Sequence, residues 1–356
     1  MGRLSRRDVL KKGLGGGAAL ALGSLAAPGI LRAAPTKLIV SDAGGAVREA
    51  YVKTHYASFT AKTGIEIVPV DYLGIADLKS MVESGNYANA DLTVLSAAEA
   101  AIAAAQDLAE PIDYSLFDRS KIIKQAAHDK YCLTYLSASV ISWNTEAYNQ
   151  ETAPKDWAEF FGMASSSKFS GPRGLWKNAT LTMDIAAMGA GVAKEALYPL
   201  DIDKALSSLS NIRDNITWWD HGAQSIQLLT SRQVDLSFAW NGRVYPAKAD
   251  GQPLDFHFNQ ALLDGDACVV PKGAPNKDAV QQFVAHMMGA QPQADFAKII
   301  PYGPTNDDSL ALIDAEVLDR LTTGPKNFPK TVLQDFDWWA QSGQKAYDEF
   351  NKFLLG

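Results

Sequence analysis

Cysteine is scarce in this chain of 356 residues, which holds only Cys132 and Cys268. Two cysteines are too few for the disulfide framework of a small secreted domain. A single bridge between them is an alternative. However, each cysteine lies in an apolar, strand-like run, where thiols usually pack as small hydrophobic side chains. We therefore predict two buried free thiols.

Histidine and excess positive charge are also lacking. The net charge is −7, from 33 Lys and Arg against 40 Asp and Glu, and this balance argues against nucleic-acid binding, which needs a basic surface. The five histidines are scattered without the close spacing of a metal site: His55, His128, His221, His257 and His286. We therefore expect no cofactor, no metal ion and no nucleic-acid partner.

Long apolar runs are missing after the N-terminus, so no later segment is expected to span a membrane. Residues 1–34 begin with a basic segment that contains Arg6 and Arg7, followed by a Gly/Ala/Leu-rich stretch and small residues up to Ala33. This order is typical of a cleavable export signal, and the arginine pair resembles a twin-arginine signal. We expect export to the periplasm with cleavage near Ala33. A retained basic tail or an uncleaved anchor is the alternative.

The remaining chain is long for a single core, which favours two lobes. Its first part alternates predicted strands at 37–40, 65–70 and 91–95 with predicted helices at 47–63, 75–84 and 97–108. This alternation predicts an α/β lobe with a parallel sheet. Ligands bind beyond the carboxyl ends of such strands, which places Asp42 and Ser96 at the candidate binding edge.

The later part of the chain predicts a second lobe and two connections between the lobes. A strand-like run at 133–143 leaves the first lobe, and an apolar strand at 267–271 with a helix at 276–288 returns to it. Between them lie predicted helices near 181–192 and 203–214, and the alternating strand 234–240. Two crossings predict a hinge with a cleft beside it.

Three sequence blocks resemble a known family: Gln227 to Arg243, Asp266 to Asn276, and Tyr302-Gly-Pro-Thr-Asn306. In order and spacing they are similar to the periplasmic solute-binding proteins of polyamine-type ABC importers. The resemblance implies a two-lobed periplasmic-binding-protein fold of type II, with lobe 1 at 36–141 plus 266–305 and lobe 2 at 142–265 plus 306–356. It also implies a monomer that closes on a small solute, performs no chemistry on it and delivers it to the importer's membrane subunits.

The same resemblance implies roles for three charged or aromatic residues. Trp240 offers an aromatic face to an ammonium group, and Asp266 pairs with that amine. Arg243 holds a carboxylate with its guanidinium fork, as in the branch of the family that binds γ-aminobutyrate. The alternatives are a core tryptophan, a turn aspartate and a surface arginine.

Further cleft residues are expected from the family pattern and from helix starts. Tyr302 points into the cleft, Ser96 donates a hydroxyl, and Gln224 supplies an amide where a helix begins. Asn178 lies in a loop where strict polyamine binders carry acidic residues. The sequence therefore favours an ω-amino acid such as γ-aminobutyrate over putrescine or spermidine.

Three other functions remain as alternatives. An exported hydrolase is suggested by Asp220 and His221 near Ser225, although no nucleophile elbow surrounds this serine. Ferric-ion binding needs adjacent tyrosines, and Tyr302 is followed by Gly303. Binding of a dicarboxylate is the third alternative.

Overall fold

The structure is a computed structural model that describes residues 35–164 and 169–356. Residues Pro35–Gly356 form one compact unit. The predicted export signal at residues 1–34 lies outside the described residues. None of the described helices combines the length and apolar character needed to cross a lipid bilayer.

In the described part of the chain, strands and helices alternate along most of the sequence. The strands are β1 Lys37–Ser41, β2 Glu66–Val70, β3 Leu92–Ser96, β4 Cys132–Leu133, β5 Tyr135–Asn144, β6 Arg173–Trp176, β7 Ile216–Trp219, β8 Leu236–Trp240, β9 Leu254–Asp264, β10 Asp266–Val269, β11 Gly303–Pro304 and β12 Val332–Leu333. The α-helices are α1 Gly45–Tyr51, α2 Ala57–Thr63, α3 Ile75–Ser84, α4 Ala97–Ala105, α5 Trp157–Phe160, α6 Ala179–Gly189, α7 Ile202–Asn211, α8 Gly222–Thr230, α9 Asn241–Ala249, α10 Lys277–Met287, α11 Ala290–Ile299, α12 Ala315–Leu318 and α13 Phe336–Leu355.

The first sheet has the strand order β2-β1-β3-β10-β4. β1 pairs in parallel with β2 and with β3, which confirms the parallel sheet predicted from the alternating pattern. β10 runs antiparallel between β3 and β4, and its register places Asp266 opposite Ser96. A residue from late in the chain is thus brought to the carboxyl end of β3.

The second sheet has the order β12-β9-β5-β8-β6-β7. Its central strand β5 is buried along its whole length and pairs antiparallel with β8 and β9. The strand-like run predicted at 133–143 is extended as expected, but Thr134 divides it into β4 and β5, which belong to different sheets. The two sheets and their helices confirm the predicted α/β class.

The chain passes between the sheets at two single residues, Thr134 and Gly265, which separate β4 from β5 and β9 from β10. A Cβ atom built on Gly265 lies 2.2 Å from the Tyr135 carbonyl oxygen, so only glycine fits at this crossing. The predicted lobe boundary at residue 141 falls inside β5. The crossing at Gly265 places Asp264 at the end of one sheet and Asp266 at the start of the other.

Cys132 and Cys268 face each other in the ladder between β4 and β10. Both are buried free thiols, as the sequence predicted. A hydrogen bond with the neighbouring Cys268 thiol, together with burial, raises the pKa of Cys132 well above its ordinary value. These thiols are therefore packed as apolar core side chains.

Candidate functional site

A cavity of about 530 Å³ lies between elements of the first and second sheets. One wall is formed by Tyr72, Ile75, Ser96, Ala97, Ala98, Glu99 and Ile102. The other wall is formed by Trp176, Asn178, Thr180, Leu181, Asp264, Gly265, Gln334 and Tyr347. Its volume is in the range of small-molecule sites.

Two partly buried carboxylates flank Gly265: Asp264, which lines the cavity, and Asp266, which does not. Asp264 accepts hydrogen bonds from the Ser137 hydroxyl and from Trp240 Nε1, the latter at 3.3 Å. Burial raises the pKa of Asp264 to about 6, against the opposing effect of these two donors. Asp264 was not predicted as a site residue, although its position beside Gly265 and Asp266 was a usable signal.

Asp266 accepts a hydrogen bond from the Tyr135 hydroxyl. Burial is the main cause that raises the pKa of Asp266 to about 7, and the negative charges of Asp264 and Glu99 raise it further. Because the nearby charges repel each other, a cation placed among them stabilises all of them. The arrangement is suited to an ammonium group.

Trp240 ends β8 and immediately precedes α9. Its ring meets Trp176 edge-on, with centroids 5.2 Å apart, and Trp219 edge-on at 5.3 Å. Trp219 is core, with 1% of its surface exposed, whereas Trp240 is half-buried. Trp240 therefore lies between the core of the second sheet and the Asp264 carboxylate.

Tyr302 lies near the carboxylates of Asp264 and Asp266 and also near Arg243. The Tyr302 ring stacks on Tyr135, with centroids 4.8 Å apart. The hydroxyl end of the Tyr302 ring lies against Gly242. A Cβ atom added to this glycine would be only 2.7 Å from the Tyr302 hydroxyl. Burial raises the pKa of Tyr302, and the positive charge of Arg243 opposes this shift. The tyrosine pair thus lies between Asp266 and the first turn of α9.

Arg243 is exposed, and its guanidinium has no acidic partner among the described residues. A Cβ atom built on Gly222, the first residue of α8, lies 3.6 Å from Arg243 Nε. The first turns of α8 and α9 are therefore neighbours here, and both present the positive end of a helix dipole. An acidic group of a ligand is favoured in this position.

Ser96 and Asn178 line the cavity, and both also begin a helix. Ser96 caps α4 and donates its hydroxyl to Glu99 Oε2 at 2.8 Å. Asn178 caps α6, and its carbonyl oxygen accepts the Thr180 N–H at 3.0 Å. The structure therefore brings both predicted residues to the cavity, with the amide nitrogen of Asn178 left over as a donor.

Asp42 and Gln224 are not among the residues that line the cavity. Asp42 is fully buried; one carboxylate oxygen accepts Arg48 Nε at 2.7 Å and the other accepts the Tyr56 hydroxyl at 2.7 Å. The carbonyl oxygen of Gln224 accepts the backbone N–H groups of residues 220 and 221, at 2.8 and 2.9 Å. Both side chains are thus engaged in local structure.

The cluster that suggested a hydrolase does not form a nucleophilic site. Ser225 is fully buried, and its hydroxyl donates to the Gly222 carbonyl at 2.8 Å. His221 is exposed at the start of α8. In the described residues, this serine therefore has no histidine positioned to activate it.

Comparisons with known proteins find relatives among bacterial solute-binding proteins. The family described as "Bacterial extracellular solute-binding protein" matches residues 55–323. A gamma-aminobutyric acid-binding protein of Pseudomonas aeruginosa is 30% identical over 339 residues, covering 93% of this chain and 95% of the relative. A spermidine/putrescine-binding periplasmic protein of Haemophilus influenzae is 24% identical, covering 83% of each chain. The solved structure of a GABA receptor is 31% identical with a TM-score of 0.81, covering 88% of this chain and 96% of that one.

Proposed function

Because the chain belongs to the family of bacterial extracellular solute-binding proteins, we propose that it captures a small zwitterionic solute with an amine and a carboxylate, of which γ-aminobutyrate is the simplest example. The chain is the solute-binding component of an ABC importer, and its characterised relatives are binding proteins. The proposal concerns the class of solute and the residues that hold it.

One observation carries this proposal: acidic and basic side chains lie close to the same stacked pair, Tyr135 and Tyr302. Asp266 accepts the Tyr135 hydroxyl, and the Tyr302 hydroxyl lies within the influence of Arg243 as well as of Asp264 and Asp266. An ammonium beside Asp266 supplies the positive charge that the carboxylates lack. A ligand carboxylate beside Arg243 accepts two parallel hydrogen bonds.

The relatives and the cavity lining support an amino acid rather than a polyamine. A relative at 30% identity is named for γ-aminobutyric acid and one at 24% for spermidine and putrescine. Across the cavity from Ser96, the lining residues Asn178, Leu181 and Gln334 are uncharged. A second ammonium there finds no unpaired carboxylate, which makes its desolvation costly.

Capture proceeds by closure of two lobes on the solute, one built on each sheet, with Thr134 and Gly265 at the two crossings of the chain between them. A solute that contacts both cavity walls favours the closed form over the open one. The closed form is the state that the importer's membrane subunits recognise. The protein acts as a monomer in the periplasm after export, with the signal removed near Ala33.

The test is titration calorimetry of the purified protein with γ-aminobutyrate, n-butylamine, butyrate and putrescine. We expect γ-aminobutyrate to bind, and the two singly charged analogues to bind about a hundredfold more weakly, because each loses the charge-assisted hydrogen bonds at one end of the site. Tight binding of putrescine without binding of γ-aminobutyrate contradicts the proposal, because a diamine has nothing to offer Arg243.

A further inference from the structure

Most of the cavity lies away from the residues that hold the zwitterion. Its lining includes Asp264 and Gly265 but none of Trp240, Arg243, Asp266 and Tyr302. At about 30 Å³ for each water of the liquid, a cavity of about 530 Å³ has room for about 18 water-sized groups. A four-carbon amino acid fills well under half of this space. We call the remainder the outer chamber, lined by Ile75, Ala98, Ile102, Leu181, Gln334 and Tyr347.

Hydrogen bonds to the buried carboxylate of Asp184 hold two residues of the outer chamber wall in place. Leu181 has a φ of 63°, a left-handed conformation that costs a leucine about 1 kcal/mol or more. Its N–H donates to the Asp184 carboxylate at 3.1 Å, and Gln334 Nε2 donates to the same carboxylate at 2.6 Å. Asp184 is fully buried and forms no ion pair with any described Lys, Arg or His. Backbone strain and a buried carboxylate thus fix two residues of the chamber wall.

The chemistry of the outer chamber is apolar with uncharged polar groups. Ile75, Ile102 and Leu181 supply the apolar surface, and Gln334 still has its carbonyl oxygen free of Asp184. Glu99 borders the chamber, but its carboxylate already accepts the Tyr72 hydroxyl, the Ser96 hydroxyl at 2.8 Å and the Ile75 N–H at 3.2 Å. No Lys, Arg or His lines it among the described residues.

We propose that the natural solute is larger than γ-aminobutyrate: an ω-amino acid that carries an uncharged, largely apolar extension on its amine side, and this extension occupies the outer chamber. The inference rests on the proposed zwitterion site. The extension belongs to the amine side because Asp264, which is separated from Asp266 only by Gly265, lines the cavity, whereas Arg243 does not. A secondary ammonium keeps its positive charge and still pairs with Asp266.

The test is a calorimetric series of γ-aminobutyrate with N-methyl, N-butyl and N-benzyl substituents. We expect dissociation constants to fall along the series, with N-benzyl about tenfold tighter than the parent, because each step buries more apolar surface. Binding of the parent with rejection of N-butyl and N-benzyl overturns this inference and leaves the zwitterion site standing. No binding by any member overturns both.

A variant that fills the chamber gives the matched control. Ala98→Phe places a ring in the chamber and is expected to weaken N-benzyl binding at least tenfold while leaving γ-aminobutyrate unchanged. Ala105→Phe lies on the same helix, is exposed and does not line the cavity, so it leaves both ligands unaffected. If Ala98→Phe does not fold, Ala98→Leu makes the same test with a smaller side chain. Equal losses for both ligands in the Ala98 variant contradict the outer chamber as a separate subsite.

Discussion

Asp264 and Asp266 place two partly buried carboxylates on either side of one glycine, with Glu99 nearby. Burial raises the pKa of Asp264 to about 6, and burial together with the negative charge of Asp264 raises that of Asp266 to about 7. An ammonium group bound between the two carboxylates lowers their pKa values, because it pairs with their charged forms and reduces the repulsion between them. Solute binding is therefore linked to proton release.

We predict that affinity for an amine falls as the pH is lowered. In the empty site Asp266 takes up a proton near pH 7, and the ligand prefers the deprotonated form. The dissociation constant should therefore rise below pH 7, approaching about tenfold per pH unit. Calorimetry between pH 8 and 5.5, in buffers with different heats of ionisation, measures both the affinity and the protons released. Asp266→Asn should lose most of this dependence, and a constant affinity over this range contradicts the assignment.

We predict that Asp42→Asn changes stability rather than affinity. The substitution removes the negative charge that pairs with Arg48 and leaves one acceptor oxygen for two donors, Arg48 Nε and the Tyr56 hydroxyl, at a cost of about 2 kcal/mol in the free energy of unfolding. Denaturant unfolding and ligand titration of the variant measure the two effects separately. Weakened binding at unchanged stability would instead place Asp42 in the ligand site.

At the scale of elements, α6 and α13 meet at Asp184, whose carboxylate accepts four side-chain or backbone donors. Besides Leu181 and Gln334, these are the Tyr198 hydroxyl at 2.7 Å and Trp339 Nε1 at 3.1 Å. Gln334 lines the cavity, while Trp339 does not. Substituting Gln334 and Trp339 separately therefore tests whether the hydrogen bonds to Asp184 contribute to binding or only to stability.

We predict opposite outcomes for two substitutions that each remove one donor from Asp184. Gln334→Ala should weaken binding of an N-benzyl amino acid about tenfold, because it opens the chamber wall. Trp339→Phe should lower the melting temperature and leave the dissociation constant unchanged, since its donor lies behind the wall. Equal loss of affinity in both variants would show that Asp184 acts only through global stability.

The sequence predicts regular elements well and irregular ones poorly. α3 spans the predicted residues 75–84, and β1 to β3 lie where the apolar runs place them. β9 was missed because a bulge between its pairings with Ser139 and Ile141, and a φ of 53° at Gln260, interrupt its alternation. The helix predicted at 97–108 ends at Ala105, shortly before Asp107 with a φ of 58°.

The residues of the candidate site were likewise predicted only in part. Local motifs predicted Trp240, Asp266 and Tyr302 as site residues; they lie near one another around Tyr135 and Asp264, although none of the three lines the cavity. Gln334 and Tyr347 were not predicted, because they reach the cavity from the C-terminal segment through tertiary packing and have no local motif. Their part in the wall depends on the burial of α13 against α4 and α6, which a local pattern does not specify.

At the scale of the whole molecule, both sheets depend on the tight crossing at Gly265. We predict that Gly265→Ala lowers the free energy of unfolding by about 2 kcal/mol or more, because its Cβ meets the Tyr135 carbonyl oxygen and forces the strands apart. The control is Gly171→Ala, where an added Cβ meets nothing within 4 Å. Denaturant unfolding compares the two, and equal stability of both variants contradicts the close crossing.

The central claim is that Arg243 and Asp266 hold opposite ends of one zwitterion. The most direct measurement is the dissociation constant of γ-aminobutyrate for Arg243→Ala, with Arg232→Ala as the control, since Arg232 forms exposed ion pairs with Glu146 and Asp235. We predict a loss of about a hundredfold in the Arg243 variant, an unchanged melting temperature without ligand, and no change in the control. Unchanged affinity of Arg243→Ala for γ-aminobutyrate contradicts the account.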